Sequence, residues 1–180
     1  FCTWNALDPL ADTLSEGNLK TTGDSSWEGT KATFAFSSGK WYWEELVLAN
    51  QADYNIGIQV TSNYASGDQQ SASGTSLIEV YDSGSSANRI RHEGSYTSIT
   101  GGYPASGSIM GFAVDMDAST FKYYLNGVLK HTQSLDSSFD EVAPFVAKYH
   151  ASASQTNFGQ DSSFAGNKTA QGNQDGNDIG

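Results

Sequence analysis

Residues 111–127, GFAVDMDASTFKYYLNG, constrain this chain more than any other stretch. Phe112, Val114 and Met116 alternate with Ala113 and Asp115, the period of two in which successive side chains leave opposite faces of a half-buried strand. Phe121, Tyr123 and Leu125 repeat the pattern, with Lys122 and Tyr124 on the other face, and residues 117–120 read as the turn between. Asn126 and Gly127 follow. Both tolerate positive φ, and between Leu125 and Val128 they form the strongest short-range hairpin signal a sequence carries. The implied local structure is a three-stranded antiparallel meander.

The rest of the chain agrees with that reading. No helical period extends beyond two turns. Apolar residues fall in short runs separated by Gly, Ser, Asn and Asp clusters, which predicts strands at 32–36, 40–49, 54–60, 76–81, 89–92, 109–116, 121–125, 128–133, 142–148 and 155–158. Charged residues are only 16% and aromatics reach 12%, a balance that favours β structure with many turns. The expected fold class is all-β, a sandwich or barrel, spanning residues 1–160. The length of 180 residues suits one domain with a tail. Residues 161–180, rich in Gly, Asn, Gln and Asp, carry only Phe164 and Ile179 as large apolar residues and are expected to form an irregular C-terminal tail or linker.

The strand 40–49, KWYWEELVLA, poses a conflict. Strict alternation puts Glu45 on the face of Trp41, Trp43 and Val47, and an unpaired buried carboxylate is costly. A β-bulge at Glu44–Glu45 would shift parity so that Leu46 and Leu48 join the tryptophans. Trp27, in a Ser/Gly-rich stretch, is expected to pack.

The net charge of −11, with nine Lys and Arg spread singly, excludes a basic patch of the kind that neutralises phosphates, so no nucleic-acid partner is expected. It also opposes docking on anionic membranes, and no apolar run is long enough to span a bilayer. Cys2 is the sole cysteine and cannot form an internal disulfide; it is either a free thiol or bonded to another chain or a missing segment. The chain begins at Phe1, not Met, which suggests a processed or excised polypeptide, and no signal peptide is visible.

Six blocks are similar, in order and spacing, to SPRY (B30.2-like) domains: Gly39-Lys40-Trp41-Tyr42-Trp43-Glu44, Asn55-Ile56-Gly57-Ile58, residues 111–117, residues 121–127, Ala143-Pro144-Phe145 and Asn157-Phe158-Gly159. The similarity runs from about Asn5 to Gln160, and Glu45 departs from the apolar residue the pattern leads one to expect. Trp4-Asn5-Ala6-Leu7-Asp8, Leu14-Ser15-Glu16-Gly17-Asn18-Leu19 and Phe164-Ala165-Gly166-Asn167-Lys168-Thr169 also resemble SPRY-containing structural proteins of tailed bacteriophages, especially those of marine bacteria. In such relatives the chain often continues past a tail of this kind. The resemblance implies a bent, two-sheet, concanavalin-like jelly-roll sandwich that binds partners through loops at one end, with no shared chemistry.

Catalysis finds little support in the residues. A glycosidase needs two carboxylates roughly 5–10 Å apart across a cleft. Glu44 and Glu45 are adjacent and point to opposite faces, while Asp115 and Asp117 sit at a hairpin end where Asp commonly caps turns. No G-x-S-x-G elbow occurs, and His92, His131 and His150 belong to no nucleophile or zinc motif. No catalytic residue, metal or cofactor is therefore expected. Asp175-Gly176-Asn177-Asp178 lacks the full calcium-loop spacing, and the sequon Asn167-Lys168-Thr169 matters only on a eukaryotic secretory route.

Binding chemistry is more evident. The polar connections 49–54, 61–75, 82–103 and 129–142 contain Tyr54, Asn63, Tyr64, Asp68, Tyr96 and Tyr103, the Tyr/Asn/Ser/Gly chemistry of adaptable recognition loops. These six are the candidate ligand-contacting residues, the alternative being that the tyrosines only cover the sandwich ends. The function expected is that of a non-enzymatic, repeated virion-surface component, in a tail fibre or head decoration, contacting host-surface glycans or proteins or neighbouring virion proteins. A purely structural assembly module and a carbohydrate-active enzyme are the alternatives.

Overall fold

The computed structural model describes residues 1–8, 12–49, 54–63, 74–81, 87–101 and 103–169. They form strands only: Thr13–Ser15 (β1), Lys20–Thr22 (β2), Glu28–Lys31 (β3), Lys40–Ala49 (β4), Tyr54–Val60 (β5), Thr75–Tyr81 (β6), Ala87–His92 (β7), Ser95–Ile99 (β8), Ile109–Asp115 (β9), Thr120–Leu125 (β10), Val128–Ser134 (β11), Val142–Lys148 (β12) and Ala153–Asn157 (β13). Two antiparallel sheets result. A seven-stranded sheet runs β1-β2-β13-β4-β9-β10-β11, and a six-stranded sheet runs β3-β12-β5-β6-β7-β8. The all-β class is as the alternation implied, and the two-sheet sandwich is the form the SPRY resemblance implied.

The meander β9-β10-β11 forms as read, with Phe121 opposite Val114 and Tyr123 opposite Phe112. Asn126 at φ 49° and Gly127 at φ 76° make its turn, both in the left-handed region that an Asn-Gly pair supplies cheaply. The inward residues build the core. Phe112 lies 5.3 Å from Trp43, 6.1 Å from Phe121 and 5.9 Å from Tyr123, centroid to centroid. Ile56, Ile58, Val60, Val142 and Val146 of the six-stranded sheet close the same cluster from the other side.

Glu45 resolves its conflict differently from the expectation. β4 pairs with β9 without a break from Lys40 to Leu46, and Glu44 and Glu45 pair with Asn157 and Thr156 of β13. No bulge occurs at Glu44–Glu45. The irregularity comes later, at Leu48, which the β13 register skips between Val47 and Ala49. Glu45 therefore stays on the core face, fully buried. It can do so because partners reach it from strands distant in sequence. The Thr156 hydroxyl donates to Glu45 Oε1 at 2.6 Å, and Trp4 Nε1 donates to that hydroxyl at 2.7 Å. Lys148, itself buried at the end of β12, donates to the Thr21 hydroxyl of the opposite sheet. Burial pushes the Glu45 carboxyl above its ordinary range, and the Lys148 charge opposes that rise. Burial lowers the Lys148 amine, opposed by Asp12 and then Glu45. Asp12, Glu45 and Lys148 are thus interacting titratable groups shut inside the sandwich, and the Lys148–Thr21 bond crosses between its two sheets.

Other differences lie at short elements. The expected strand at 32–36 is absent: β3 ends at Lys31, and Ala32 and Phe36 make only isolated bridges, to Trp4 and Val142. Trp27 packs on Phe145 and Ala147, on the outer face of β12, and stacks on Tyr149 at 5.7 Å. Beyond β13 the chain is bound to the domain as far as Lys168. Asn157 Oδ1 accepts from the Gly159 and Asp161 amides, Phe164 is 2% exposed, and Lys168 donates to the Gly107 carbonyl at 2.7 Å.

Candidate functional site

One end of the six-stranded sheet gathers several connections. The Phe36 amide donates to the Val142 carbonyl, Thr61 to Glu141, Val60 to Gly74 and Glu93 to Thr75, so the loops around 32–36, 61–63, 74, 93 and 141 sit side by side. On this border Phe34, Phe36 and Trp41 form an aromatic ridge. Trp41 stacks on Phe36 at 5.0 Å and 23°, and meets Phe34 at 4.7 Å and 54°. Phe36 is buried, but Trp41 is 38% exposed and Phe34 40%. Large rings half open to water are costly to leave bare, and they are the residue type that dominates partner contacts.

The ridge is held by the turn before β4. Gly39 adopts φ 80°, which a side chain would strain. Its amide donates to Asp117 Oδ1 at 3.0 Å, and its carbonyl accepts from the Met116 amide at 3.0 Å. Trp41 Nε1 donates to the Ser38 carbonyl at 2.8 Å. Asp115 Oδ1 accepts from the Ala118 amide, and its Oδ2 meets Lys40 at 3.2 Å. The Ala118 amide first, and Lys40 after it, hold the Asp115 carboxyl below its ordinary range. Asp115 and Asp117 therefore fix the turn that presents Trp41.

Two clefts flank the ridge. One, of about 400 Å³, lies among Asn5, Asp8, Lys31, Phe34, Thr61 and Asn63. Asp8 Oδ2 accepts from the Lys31 amide at 2.7 Å, and the Lys31 ammonium donates to the Val60, Thr61 and Asn63 carbonyls. Burial lowers the Lys31 amine and Asp8 opposes the fall. The other, of about 320 Å³, lies on the outer face of the seven-stranded sheet among Lys40, Trp41, Tyr42, Asp115, Lys122 and Tyr124. Here the Tyr42 ring lies across Gly111: a Cβ on that glycine would sit 2.5 Å from the phenol oxygen. Tyr42 Oη donates to Glu44 Oε1 at 2.8 Å, and burial, reinforced by Glu44, raises its phenol.

The residues singled out from sequence are dispersed. Asn63 lines the first cleft. Tyr96 is exposed on edge strand β8, with the Arg89 and Arg91 guanidiniums 4.8 and 5.4 Å from its ring centroid. Tyr103 is half-buried and packs against the core. Tyr54 opens β5 opposite Lys148 and Val80, at the far end of the strand from Asn63. Tyr64 and Asp68 lie outside the described residues. Phe34, Trp41 and Tyr42 were missed, because alternation assigned Trp41 to the core face it does share with Trp43. The signal that it stands at an open end is its place two residues after Gly39.

The carboxylates of the sequence argument are engaged elsewhere. Glu45 is inside the sandwich, Glu44 accepts from Tyr42, and Asp115 and Asp117 serve turns. Among the described residues, His92, Glu93 and Asp136 bring ligand atoms within 4.8 Å of one another, as a metal site would, and none of the three lines either cleft.

Fold and surface together define an antiparallel β-sandwich with a half-exposed aromatic border. Solved structures narrow the fold. The SPRY domain of human HERC1 superposes with a TM-score of 0.72 at 17% identity, covering 88% of this chain and 99% of that one. The TRIM65 PSpry domain gives 0.69 at 12% identity, covering 87% and 91%. The chain therefore has the SPRY fold. No protein-family profile and no curated protein sequence matches it.

Proposed function

We propose that this chain is a non-enzymatic recognition module that docks a protein partner on the Phe34–Phe36–Trp41 ridge. The observation that carries the reading is Trp41, stacked on the buried Phe36 and in tilted contact with Phe34, with Trp41 and Phe34 each about two-fifths exposed between two half-polar clefts. A buried aromatic anchor ringed by polar groups is the usual anatomy of an interface hot spot. Phe34 offers no hydrogen bond and Trp41 Nε1 is already used by Ser38, which favours a protein surface over a glycan. The engagement of Glu44, Glu45, Asp115 and Asp117 in structural bonds speaks against a carbohydrate-active enzyme.

The setting we propose is the surface of a virion, with a neighbouring structural protein as the partner. Its support is the likeness of residues 4–8, 14–19 and 164–169 to tailed-phage structural proteins. Cross-linking in the source particle tests this through Lys40 and Lys122, which border the ridge-side cleft. Cross-links from these lysines to another virion protein, lost in W41A, are the expected result. Trp41-dependent binding on a glycan array would transfer the site to sugars. Indifference of both assays to W41A would end the proposal.

A further inference from the structure

We propose that His92, Glu93 and Asp136 form a binding site for a divalent transition-metal ion, with Zn²⁺ as the best-suited probe. One ligand atom from each lies within 4.8 Å of the other two, near enough for small side-chain rotations to bring them to the ~3.3 Å donor spacing that Zn–ligand bonds of ~2.0–2.1 Å set at tetrahedral angles. The set is mixed: an imidazole and two carboxylates. Imidazole selects Zn²⁺-like ions over Ca²⁺ and Mg²⁺, which prefer oxygen alone.

A second observation points the same way. His92 Nδ1 is shut off from solvent and has no hydrogen-bond partner. A buried polar atom of this kind calls for a missing water or ion. Its ring is held in place by Phe139, stacked at 5.4 Å and 7°.

The carboxylates are also oriented in advance. Glu93 Oε1 accepts from the Gly74 amide at 2.7 Å and the Ser138 hydroxyl at 2.8 Å. Asp136 Oδ1 accepts from the Ser138 amide at 2.8 Å and lies 2.6 Å from the same hydroxyl, whose single proton the two carboxylates share. Such outer contacts are what hold ligating side chains in register. Three protein donors leave a tetrahedral ion one position for water. The ion would join the turn after β7 to the loop between β11 and β12, beside the connections at 61, 74 and 141.

Isothermal titration of chelator-treated protein with ZnCl₂, paired with thermal melts, tests the site. One equivalent should bind and raise the melting temperature, while CaCl₂ and MgCl₂ at the same concentration should not. Outer-shell losses alone weaken metal sites ~10–100-fold, so D136N and H92Q should cost at least about tenfold. H131Q and H150Q should bind as the parent does. Asp136 is exposed, so D136N decides the matter if H92Q fails to fold by circular dichroism. Absence of stoichiometric Zn²⁺ binding, full affinity in D136N, loss of binding in H131Q or H150Q, or a preference for Ca²⁺ overturns the proposal.

Discussion

Replacing Lys148 by Met tests how the two sheets are joined. Lys148 is 1% exposed, Glu45 0% and Asp12 2%, so the substitution removes a cation that faces two carboxylates water does not reach. Breaking a buried pair from one side costs about 3–5 kcal/mol, because the remaining charge is left uncompensated. Domains of this size hold about 5–15 kcal/mol in total. At roughly 2–4 °C per kcal/mol, the melting temperature should fall by about 6–20 °C.

The loss should depend on pH. Burial raises the Glu45 carboxyl above its ordinary 4.5. A carboxyl raised by folding binds its proton more tightly in the native state, so its contribution is complete below pH 4.5 and is lost as pH rises through the raised value. Removing Lys148 takes away the charge that opposes the rise. The deficit of K148M should therefore widen from about pH 4.5 towards neutrality. Urea melts of parent, K148M, E45Q and the double variant, followed by tryptophan fluorescence, measure it. The double variant should lose about 0.5–3 kcal/mol less than the sum of the singles. A K148M cost below about 1 kcal/mol, or a deficit that grows on acidification, refutes the buried cluster.

The ridge, the outer face and the C-terminal segment give further tests. W41A should leave the melting temperature within a few degrees yet weaken partner binding by about 2 kcal/mol or more, as hot-spot truncations do, measured by interferometry against the cross-linked partner. D117A should weaken the same binding without touching the ridge, because it frees the Gly39 amide that positions Trp41. G111A should displace the Tyr42 ring at a cost of about 1 kcal/mol, since the clash is with the mobile end of a side chain, and spectrophotometric titration should show one phenol moving down towards its ordinary 10.0. F164A should destabilise the sandwich by about 3–5 kcal/mol in denaturant melts; a solvated tail would show no change.

What could be read from sequence follows the physics of each element. β9 and β10 were legible because both the hydrophobic period and the turn chemistry are local, and β12 as a short, nearly continuous apolar run. β1, β2 and β3 are three or four residues of largely polar chain whose strand character comes only from the neighbours they pair with. β8 is an edge strand, exposed at four of its five residues, so it carries no alternation. Glu45 shows the limit most clearly. Alternation placed it correctly, and the bulge was introduced to avoid an unpaired charge; its partners Lys148 and Thr156 lie on strands late in the chain that no local pattern links to it.

The same limit explains why the proposed docking surface is not legible in the sequence. Tyrosine-rich loops were the visible candidates, yet exposure is a property of place. Trp41 and Trp43 have the same parity and share Tyr42 as a neighbour in sequence, but Trp43 lies over Phe112 in mid-sheet while Trp41 lies at the mouth of the sandwich against Phe36. Asp115 and Asp117 complete the contrast. They look like a catalytic pair by spacing, and they hold the turn that sets Trp41 at that mouth. His92, Glu93 and Asp136 have no shared motif because the sheet end, and not the chain, brings them together. In a sandwich of this kind the strands are written in periodicity, whereas the site is written in which strand ends meet.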